Sequence, residues 1–325
     1  MSIQVLDRDE QPTPHQPDIE RIVRRLRKVF IHTPHVERLM ARMERLYTHR
    51  CTTEEPEHLV ISGESGVGKT RVLQEYCRHK LSVDHPEFRE IPVLYVPVMP
   101  SCTIKKLSTE VLKAMGSPFW NRGNEQDRTD QVLKLLPVCR VRLIILDEVN
   151  HLLDRGRHNT HYAVADSIKQ FGDKTGVSLV LAGTPVVEDM PFTNEQLRGR
   201  FGEVIRLAPL TLATDTDIEI FVSVLGSFAS LLSGLDSVDI TSEPLVRSMA
   251  FASAGRLRAL RRLLVRAVEL AGEQSPPALT LQTLERAFSE VIYPYARPER
   301  NPFCRKFDGQ PLVQPREPYG PFRKR

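Results

Sequence analysis

The chain has 325 residues, of which 41% are hydrophobic, so it can bury the core of one large domain or of two domains. Its apolar runs are shorter than the roughly 20 residues that a membrane span requires, and its first 20 residues are polar, so we expect neither a membrane segment nor an export signal. The formal net charge is only +4, and five widely spaced cysteines without a C-x-x-C pair predict free thiols in the cytoplasm rather than a zinc site.

Two amphipathic helices are predicted before the first strand, over residues 18–30 and 34–48. In both stretches apolar residues recur at intervals of three and four, with arginines on the opposite face. The basic face of the first helix can contact nucleic acid or simply be solvated, and both interpretations stay open. We assign residues 1–50 to an N-terminal helical segment.

A glycine-rich stretch fits the pattern G-x-x-x-x-G-K-[ST]. It follows an apolar run at residues 58–62, typical of a buried parallel strand, and precedes a helical pattern over 71–80. Strand, loop and helix in this order predict a phosphate-binding loop, in which backbone N–H groups surround a phosphate, a lysine adds a cation and a threonine hydroxyl ligates magnesium. The loop residues are Gly63, Glu64, Ser65, Gly66, Val67, Gly68, Lys69 and Thr70.

A second buried strand is predicted over residues 92–98, followed by a loop and a helix over 104–115. Lys105 and Lys106 open that helix. Because cations are unfavourable beside the positive end of a helix, the pair indicates a nearby anion such as a DNA phosphate. Surface lysines directed into water explain the pair equally well.

An apolar strand over residues 142–146 ends in two acids, Asp147 and Glu148, as a Walker B element does. The first acid can hold magnesium through water, and the second can orient and polarise the water that attacks the γ-phosphate of ATP. Acid pairs after apolar runs are common. Downstream of a phosphate loop, in an alternating β/α pattern, this pair is strong evidence for an ATP site.

Three further features follow in the predicted α/β domain. A helical pattern over 151–174 begins with basic residues and histidines, which favour polar surface or nucleic-acid contact over a metal site because paired carboxylates or cysteines are lacking. The next apolar run brings Thr184 to the carboxyl edge of the sheet, where ligands bind. Arg198 and Arg200 then lie at the end of a predicted helix. One of them can act as an arginine finger for a neighbouring subunit, or both can simply be cations that the helix dipole stabilises.

The β pattern stops near residue 211, and helical patterns follow. We therefore expect an ATP-binding α/β domain over 51–210 and a helical domain over 211–292. Residues 293–325 carry eight Lys/Arg against three Asp/Glu and seven prolines, which favour an extended tail that recruits a partner, or a solubilising disordered end. The four expected helices span residues 215–232, 243–252, 256–270 and 281–292.

Together, the phosphate loop, the two acids, the strand-ending threonine, an R-x-R-F element and a Gly-x-x-Arg helix resemble those of an AAA+ ATPase. More narrowly, roughly residues 21–292 resemble the TniB and TnsC ATPases of DNA transposition. That resemblance rests on the two leading helices, on Val96-Pro97-Val98 with Thr103 and Lys105 soon after, and on the stretches 147–153 and 181–185.

The resemblance implies an α/β fold, with an AAA+ P-loop parallel sheet flanked by helices and a small all-helical lid domain. It also implies Mg²⁺-dependent ATP hydrolysis. The sequence does not show which of the two side chains points towards a neighbouring subunit, so Arg198 can take the place of Arg200 as the arginine finger. The implied roles are ATP and magnesium binding and water activation for Lys69, Thr70, Asp147 and Glu148, sensor 1 for Thr184, the trans arginine finger for Arg200, and sensor 2 for Arg258.

The resemblance further implies rings or helical filaments of the protein around duplex DNA. Binding through the phosphate backbone does not depend on the DNA sequence, and its affinity falls steeply as the salt concentration rises. The implied protein partners are a transposase and a TniQ-like target-selection protein. Two alternatives share the ATP residues: another AAA+ initiator or helicase loader, and a signalling NTPase that does not touch DNA. The implied DNA contacts are Thr103, Lys105, Lys106, Arg155 and Arg157.

Overall fold

The computed structural model describes residues 3–4, 17–49, 56–100, 102, 104–153, 171–192 and 201–321. The chain forms two compact units, an α/β unit of residues 35–208 and a helical unit of residues 1–34 with 209–325. The strands are β1 (Ile3–Gln4), β2 (Phe30–Ile31), β3 (His58–Gly63), β4 (Val83–Asp84), β5 (Arg89–Glu90), β6 (Val93–Pro97), β7 (Leu143–Asp147), β8 (Ser178–Gly183), β9 (Phe201–Leu207), β10 (Asp236–Ser237) and β11 (Ala278–Leu279). The helices are α1 (Ile19–Lys28), α2 (Pro34–His49), α3 (Lys69–Arg78), α4 (Ile104–Ala114), α5 (Glu125–Val138), α6 (Asn150–Leu153), α7 (Asp215–Ala229), α8 (Glu243–Ser253), α9 (Leu257–Gly272) and α10 (Leu281–Val291).

The α/β unit is built on a parallel five-stranded sheet with the order β6-β7-β8-β3-β9. All residues of β3, β7 and β8 are buried, as expected for strands of a parallel sheet that is covered on both faces. The predicted fold class is therefore confirmed. Because the strands are parallel, their carboxyl ends meet at one edge of the sheet, where the predicted ATP residues follow β3, β7 and β8.

Helices α4 and α5 pack against each other and against the sheet, with Leu107, Val111 and Val132 in the core of the α/β unit. Helix α5 was not expected from the sequence. Asn124 caps it, because its side chain accepts from the Asp127 N–H while the Asp127 carboxylate accepts from the Asn124 N–H. This reciprocal capping box is a local start signal that a weakly amphipathic helix needs.

The helical unit contains α7 to α10, close to the four expected ranges, with a large apolar core of its own. Helix α1 also belongs to this unit, because it packs on α9 and buries Ile22, Val23 and Leu26 in the same core. The structure therefore groups the first predicted helix with the helical domain rather than with α2. Within the described ranges, no helix is long and apolar enough to cross a membrane.

The basic, proline-rich tail is folded on the helical unit. Phe303 and Leu312 are buried in its core, and the Tyr319 hydroxyl donates to the Ala252 carbonyl at 2.6 Å. The expectation of an extended tail is thus wrong for residues 293–321. The prolines prevent long helices there, as expected, but the apolar side chains between them still bury enough surface to hold an irregular segment in place.

Candidate active site

The predicted phosphate loop connects β3 to α3, and steric constraints explain its glycines. Gly66 and Gly68 have φ angles of 90° and 112°, which L side chains rarely adopt. A Cβ atom on Gly63 would lie 2.4 Å from the carbonyl oxygen of Leu207. Glycine is therefore required for close backbone packing at the start of the loop and for left-handed conformations further along it.

The loop gathers positive charge at the start of α3. Gly68 is the N-cap of this ten-residue helix and provides no side-chain hydrogen bond to it. Lys69 is buried, and its ammonium group donates to the carbonyl oxygens of Gly63 and Glu64 at 2.7 and 3.1 Å. A helix start and a buried ammonium inside one loop fit a phosphate group.

The two acids occupy distinct positions at the end of β7. Asp147 is buried, and its Oδ1 accepts from the N–H of Glu148 at 2.9 Å, while its Oδ2 accepts from the hydroxyl of Tyr95 at 2.8 Å. Both oxygens of the carboxylate are thus fixed. Glu148 is half-buried and has a φ angle of 59°, a left-handed conformation that is costly for a residue other than glycine.

Thr184 follows β8 and is held by a residue of α6. Its N–H donates to Oδ1 of the buried Asn150 at 3.2 Å. A Cβ atom on Gly183 would lie 2.9 Å from the same oxygen, so glycine makes room for this contact. Asn150 therefore ties the segment after β7 to the end of β8. The sequence showed that Asn150 follows Asp147 by three residues, but it did not show that Asn150 binds the N–H of Thr184.

Strand register places the three groups of residues side by side. Ser62 in β3 is opposite Gly183 in β8, and Leu146 in β7 is opposite Leu181 in β8. The phosphate loop, the acids and Thr184 therefore all emerge from adjacent strands at one edge. This is where a ligand binds in an open parallel sheet.

A charged cluster supports the strand that carries the loop. The Ser62 hydroxyl donates to Oε1 of Glu188 at 2.5 Å, and Arg206 in β9 donates from Nε to its Oε2 at 2.8 Å. The hydrogen bonds from Arg206 and Ser62 hold the pKa of Glu188 below its ordinary value. Glu188 thereby joins the end of β3 to β9 and to the 3₁₀ helix Pro185–Phe192 that follows Thr184. No sequence pattern indicated this cluster.

Comparison with protein-family models gives a match to the family described as Bacterial TniB protein, over residues 21–209, which is more than half of the chain. The chain belongs to the TniB family. A comparison with curated protein sequences gives no match.

Solved structures that are similar to this TniB-family chain include Cdc6 and ORC proteins. Cdc6p from Pyrobaculum aerophilum has 18% identity and a TM-score of 0.60, over 82% of this chain and 70% of that one. The ORC1 protein of Aeropyrum pernix, solved in complex with DNA, has 17% identity and a TM-score of 0.58, over 80% and 66% of the two chains. The ORC2 protein of the same organism, solved with ADPNP and ADP, has 17% identity and a TM-score of 0.56, over 87% and 70%. At these identities the likeness shows the fold.

Several predicted site residues of this TniB-family chain stay predictions. Arg258 is exposed and is the second residue of α9 in the helical unit. Lys106 is exposed on α4. The backbone of Lys105 lies in the same helix, and its side chain is outside the described part of the structure. The predicted residues that lie wholly outside the described ranges are Thr103, Arg155, Arg157, Arg198 and Arg200.

Four cysteines are free thiols, as expected: Cys77, Cys102, Cys139 and Cys304. Burial raises the pKa of Cys77 to about 12 and that of Cys102 to about 11. Both thiols therefore stay protonated at neutral pH and are poor nucleophiles. Cys51 lies outside the described residues.

Proposed function

We propose that this TniB-family protein is an ATP-dependent, DNA-binding regulator of transposition that acts in the cytoplasm. With ATP it oligomerises on target duplex DNA and links a TniQ-like target-selection protein to the transposase, and ATP hydrolysis drives its disassembly. The observation that carries this proposal is the meeting of Lys69, Asp147 and Thr184 at one sheet edge, within the region that matches the TniB family.

The chain's own groups account for nucleotide binding. The N–H groups of residues 63–70 and the ammonium of Lys69 bind the β- and γ-phosphates, because they concentrate positive charge in one loop. Thr70 and Asp147 are the proposed ligands of Mg²⁺, whose charge, when it is bound, offsets that of the phosphate oxygens. Asp147 suits this role because its carboxylate is held in place by Tyr95 and by the Glu148 N–H.

Hydrolysis is assigned to Glu148, which accepts a hydrogen bond from the attacking water and so polarises it. The left-handed backbone at this non-glycine residue supports the role, because such strain clusters at functional sites. Thr184 serves as sensor 1 of the γ-phosphate. Arg200, or Arg198, reaches the site of a neighbouring copy as the arginine finger, and Arg258 of the helical lid serves as sensor 2.

The proposed DNA contacts are Thr103, Lys105, Lys106, Arg155 and Arg157. The surroundings of Lys106 support a phosphate contact. A cavity of about 430 Å³ beside α4 is lined by Lys106, Arg128 and the aromatic ring of Trp120, among others. Glu110 also lines this cavity and pairs with Lys113 at 2.8 Å, and within the described residues neither Lys106 nor Arg128 forms an ion pair.

The proposal is tested by fluorescence anisotropy of a labelled duplex, with and without a non-hydrolysable ATP analogue, over a range of salt concentrations. We expect binding only with the analogue, little dependence on DNA sequence, and a steep loss of affinity as salt rises. Lys69→Ala should abolish the nucleotide-dependent binding, whereas Lys134→Ala, the same change at an exposed lysine of α5, should not. DNA binding by Lys69→Ala equal to that of the wild type would contradict the ATP switch.

The fold similarity to Cdc6 and ORC proteins favours one second candidate, an initiator or helicase loader. This candidate uses the same ATP residues and also binds DNA, so only the protein partner distinguishes it from the first proposal. Retention of a TniQ-like protein or a transposase on DNA only in the presence of this protein and the ATP analogue supports the first proposal. Retention of a replicative helicase instead supports the second. A protein that binds nucleotide but ignores DNA would be a signalling NTPase.

A further inference from the structure

We propose that Tyr95 is a positioning residue that holds the Walker B acid Asp147 in the orientation in which this carboxylate binds a magnesium ion. The inference rests on the proposed function, because it concerns the Mg²⁺-ATP site. Tyr95 is not part of any motif noted in the sequence, and its role follows from its contacts alone.

Strand geometry brings Tyr95 to the acid. In the register of β6 and β7, Tyr95 is opposite Ile145 and Pro97 is opposite Asp147. Because side chains alternate between the two faces of a strand, Tyr95 and Asp147 lie on the same face, as diagonal neighbours. A long aromatic side chain can span that diagonal, and the Tyr95 hydroxyl donates to Oδ2 of Asp147 at 2.8 Å.

The chemistry of Tyr95 suits a donor to a carboxylate. A phenolic hydroxyl keeps its proton at neutral pH and can donate it in a hydrogen bond to a carboxylate. A phenylalanine would fill the same apolar space without this hydrogen bond. Outer hydrogen bonds of this kind orient a metal ligand, and their removal typically costs about 10- to 100-fold in metal affinity.

The test is a titration of Mg²⁺ into the protein with a fluorescent, non-hydrolysable ATP analogue. For Tyr95→Phe we expect the Mg²⁺ concentration at half-maximal binding to rise about tenfold, with analogue binding in EDTA unchanged. The matched control is Tyr76→Phe. The hydroxyl of Tyr76, a residue of α3, also donates to a carboxylate, that of Glu44, at 3.0 Å. This control should leave the Mg²⁺ requirement unchanged.

A second variant covers the case in which Tyr95→Phe does not fold. Tyr95→Leu also removes the hydroxyl from this half-buried strand position, and it should raise the Mg²⁺ requirement by a similar factor. The inference is overturned if both changes at Tyr95 leave the Mg²⁺ requirement at the wild-type value, or if Tyr95→Phe weakens binding equally in Mg²⁺ and in EDTA. A wild-type protein that fails to bind the analogue at all would instead overturn the proposed function, and the inference with it.

Discussion

Two helices of the helical unit and the phosphate-loop helix at the edge of the α/β sheet begin in different ways. In the helical unit, α7 and α10 begin with reciprocal capping boxes at Thr214 and Thr280. At the sheet edge, α3 begins at Gly68 without a side-chain cap, and Glu148 has a left-handed backbone. The difference is local, because α5 lies in the same α/β unit and is capped by Asn124. Helices α8 and α9 of the helical unit also lack side-chain caps, and Ala254, Tyr295 and Arg316 are left-handed there. Neither feature alone therefore marks a site, whereas the sheet edge combines both with a buried lysine and a buried carboxylate.

The first and largest expected effect concerns chemistry at the strained edge. Glu148→Gln should lower the rate of ATP hydrolysis on the order of a hundredfold or more, because the amide is a poor base, while nucleotide and DNA binding persist. Phosphate release at saturating ATP measures this effect. Glu203→Gln is the control, because β9 carries Glu203 near its amino end, opposite Leu59 and away from the carboxyl edge. Hydrolysis by Glu148→Gln within a fewfold of the wild-type rate would remove Glu148 from the mechanism.

The second prediction concerns a cluster that stabilises the helical unit. Arg300 donates to Glu317 at 2.6 Å and to Asp308 at 2.8 Å, and the side chain of Glu317 is only 6% exposed. Arg300→Met should lower the free energy of unfolding of this unit by about 2 kcal/mol, because it leaves a buried carboxylate unpaired. Nucleotide binding should not change.

The two units can be followed separately in this experiment. The single tryptophan, Trp120, lies in the α/β unit, so its fluorescence follows that unit, whereas far-UV circular dichroism also follows the helical one. The effect should appear in the dichroism transition. A destabilisation seen equally by both probes would mean that the units unfold together and would weaken the comparison.

The same cluster predicts a pH dependence. Arg300 holds the pKa of Glu317 below its ordinary value, and a backbone hydrogen bond and Arg300 hold that of Asp308 below its ordinary value. Carboxylates with lowered pKa values stabilise the fold above their unfolded values of about 4 and lose that stabilisation as the pH falls through the folded values. The stability difference between wild type and Arg300→Met should therefore be constant near neutral pH and shrink below about pH 4. A difference that grows on acidification contradicts the ion-pair assignment.

The third prediction tests the strain directly. Glu148→Gly and Glu148→Ala both remove the carboxylate, but only glycine adopts a φ angle of 59° without steric cost. The glycine variant should therefore be more stable than the alanine variant by about 1 kcal/mol in unfolding followed by Trp120 fluorescence. Equal stabilities would show that the backbone at this position stores no strain.

The fourth prediction, of a size similar to the third, concerns the caps of the helical unit. Thr280 accepts from the N–H of Thr283, so Thr280→Ala should cost about 1 kcal/mol in the dichroism transition and leave nucleotide binding unchanged. Thr280→Ser keeps the hydroxyl and is the control. A loss of ATP affinity in Thr280→Ala would show that the helical unit and the site are more closely coupled than proposed.

The sequence predicted best what depends on short-range patterns. The loop from Gly63 to Thr70 was recognisable because left-handed turns and close backbone packing require glycine at fixed positions. The buried strands were recognisable as continuous apolar runs, and the acids as the residues that end one of them. These features place Lys69 and Asp147 at one edge once the strands are taken as parallel.

Contacts between distant residues were not predictable from such patterns. The Tyr95–Asp147 hydrogen bond joins residues 52 positions apart, and the pair Arg27–Glu269 between α1 and α9 joins residues 242 apart. The tail was misjudged because its prolines suggested an extended chain, whereas buried Phe303 attaches it to the helical core. The apolar residues between the prolines were the available signal.

The most direct test of the central claim is electron microscopy of the purified protein with a non-hydrolysable ATP analogue, with and without duplex DNA. The proposed function predicts rings or filaments threaded on DNA when the analogue and DNA are both present, with an arginine of one copy, Arg200 or Arg198, at the ATP site of the next. Monomers that are indifferent to DNA would contradict it.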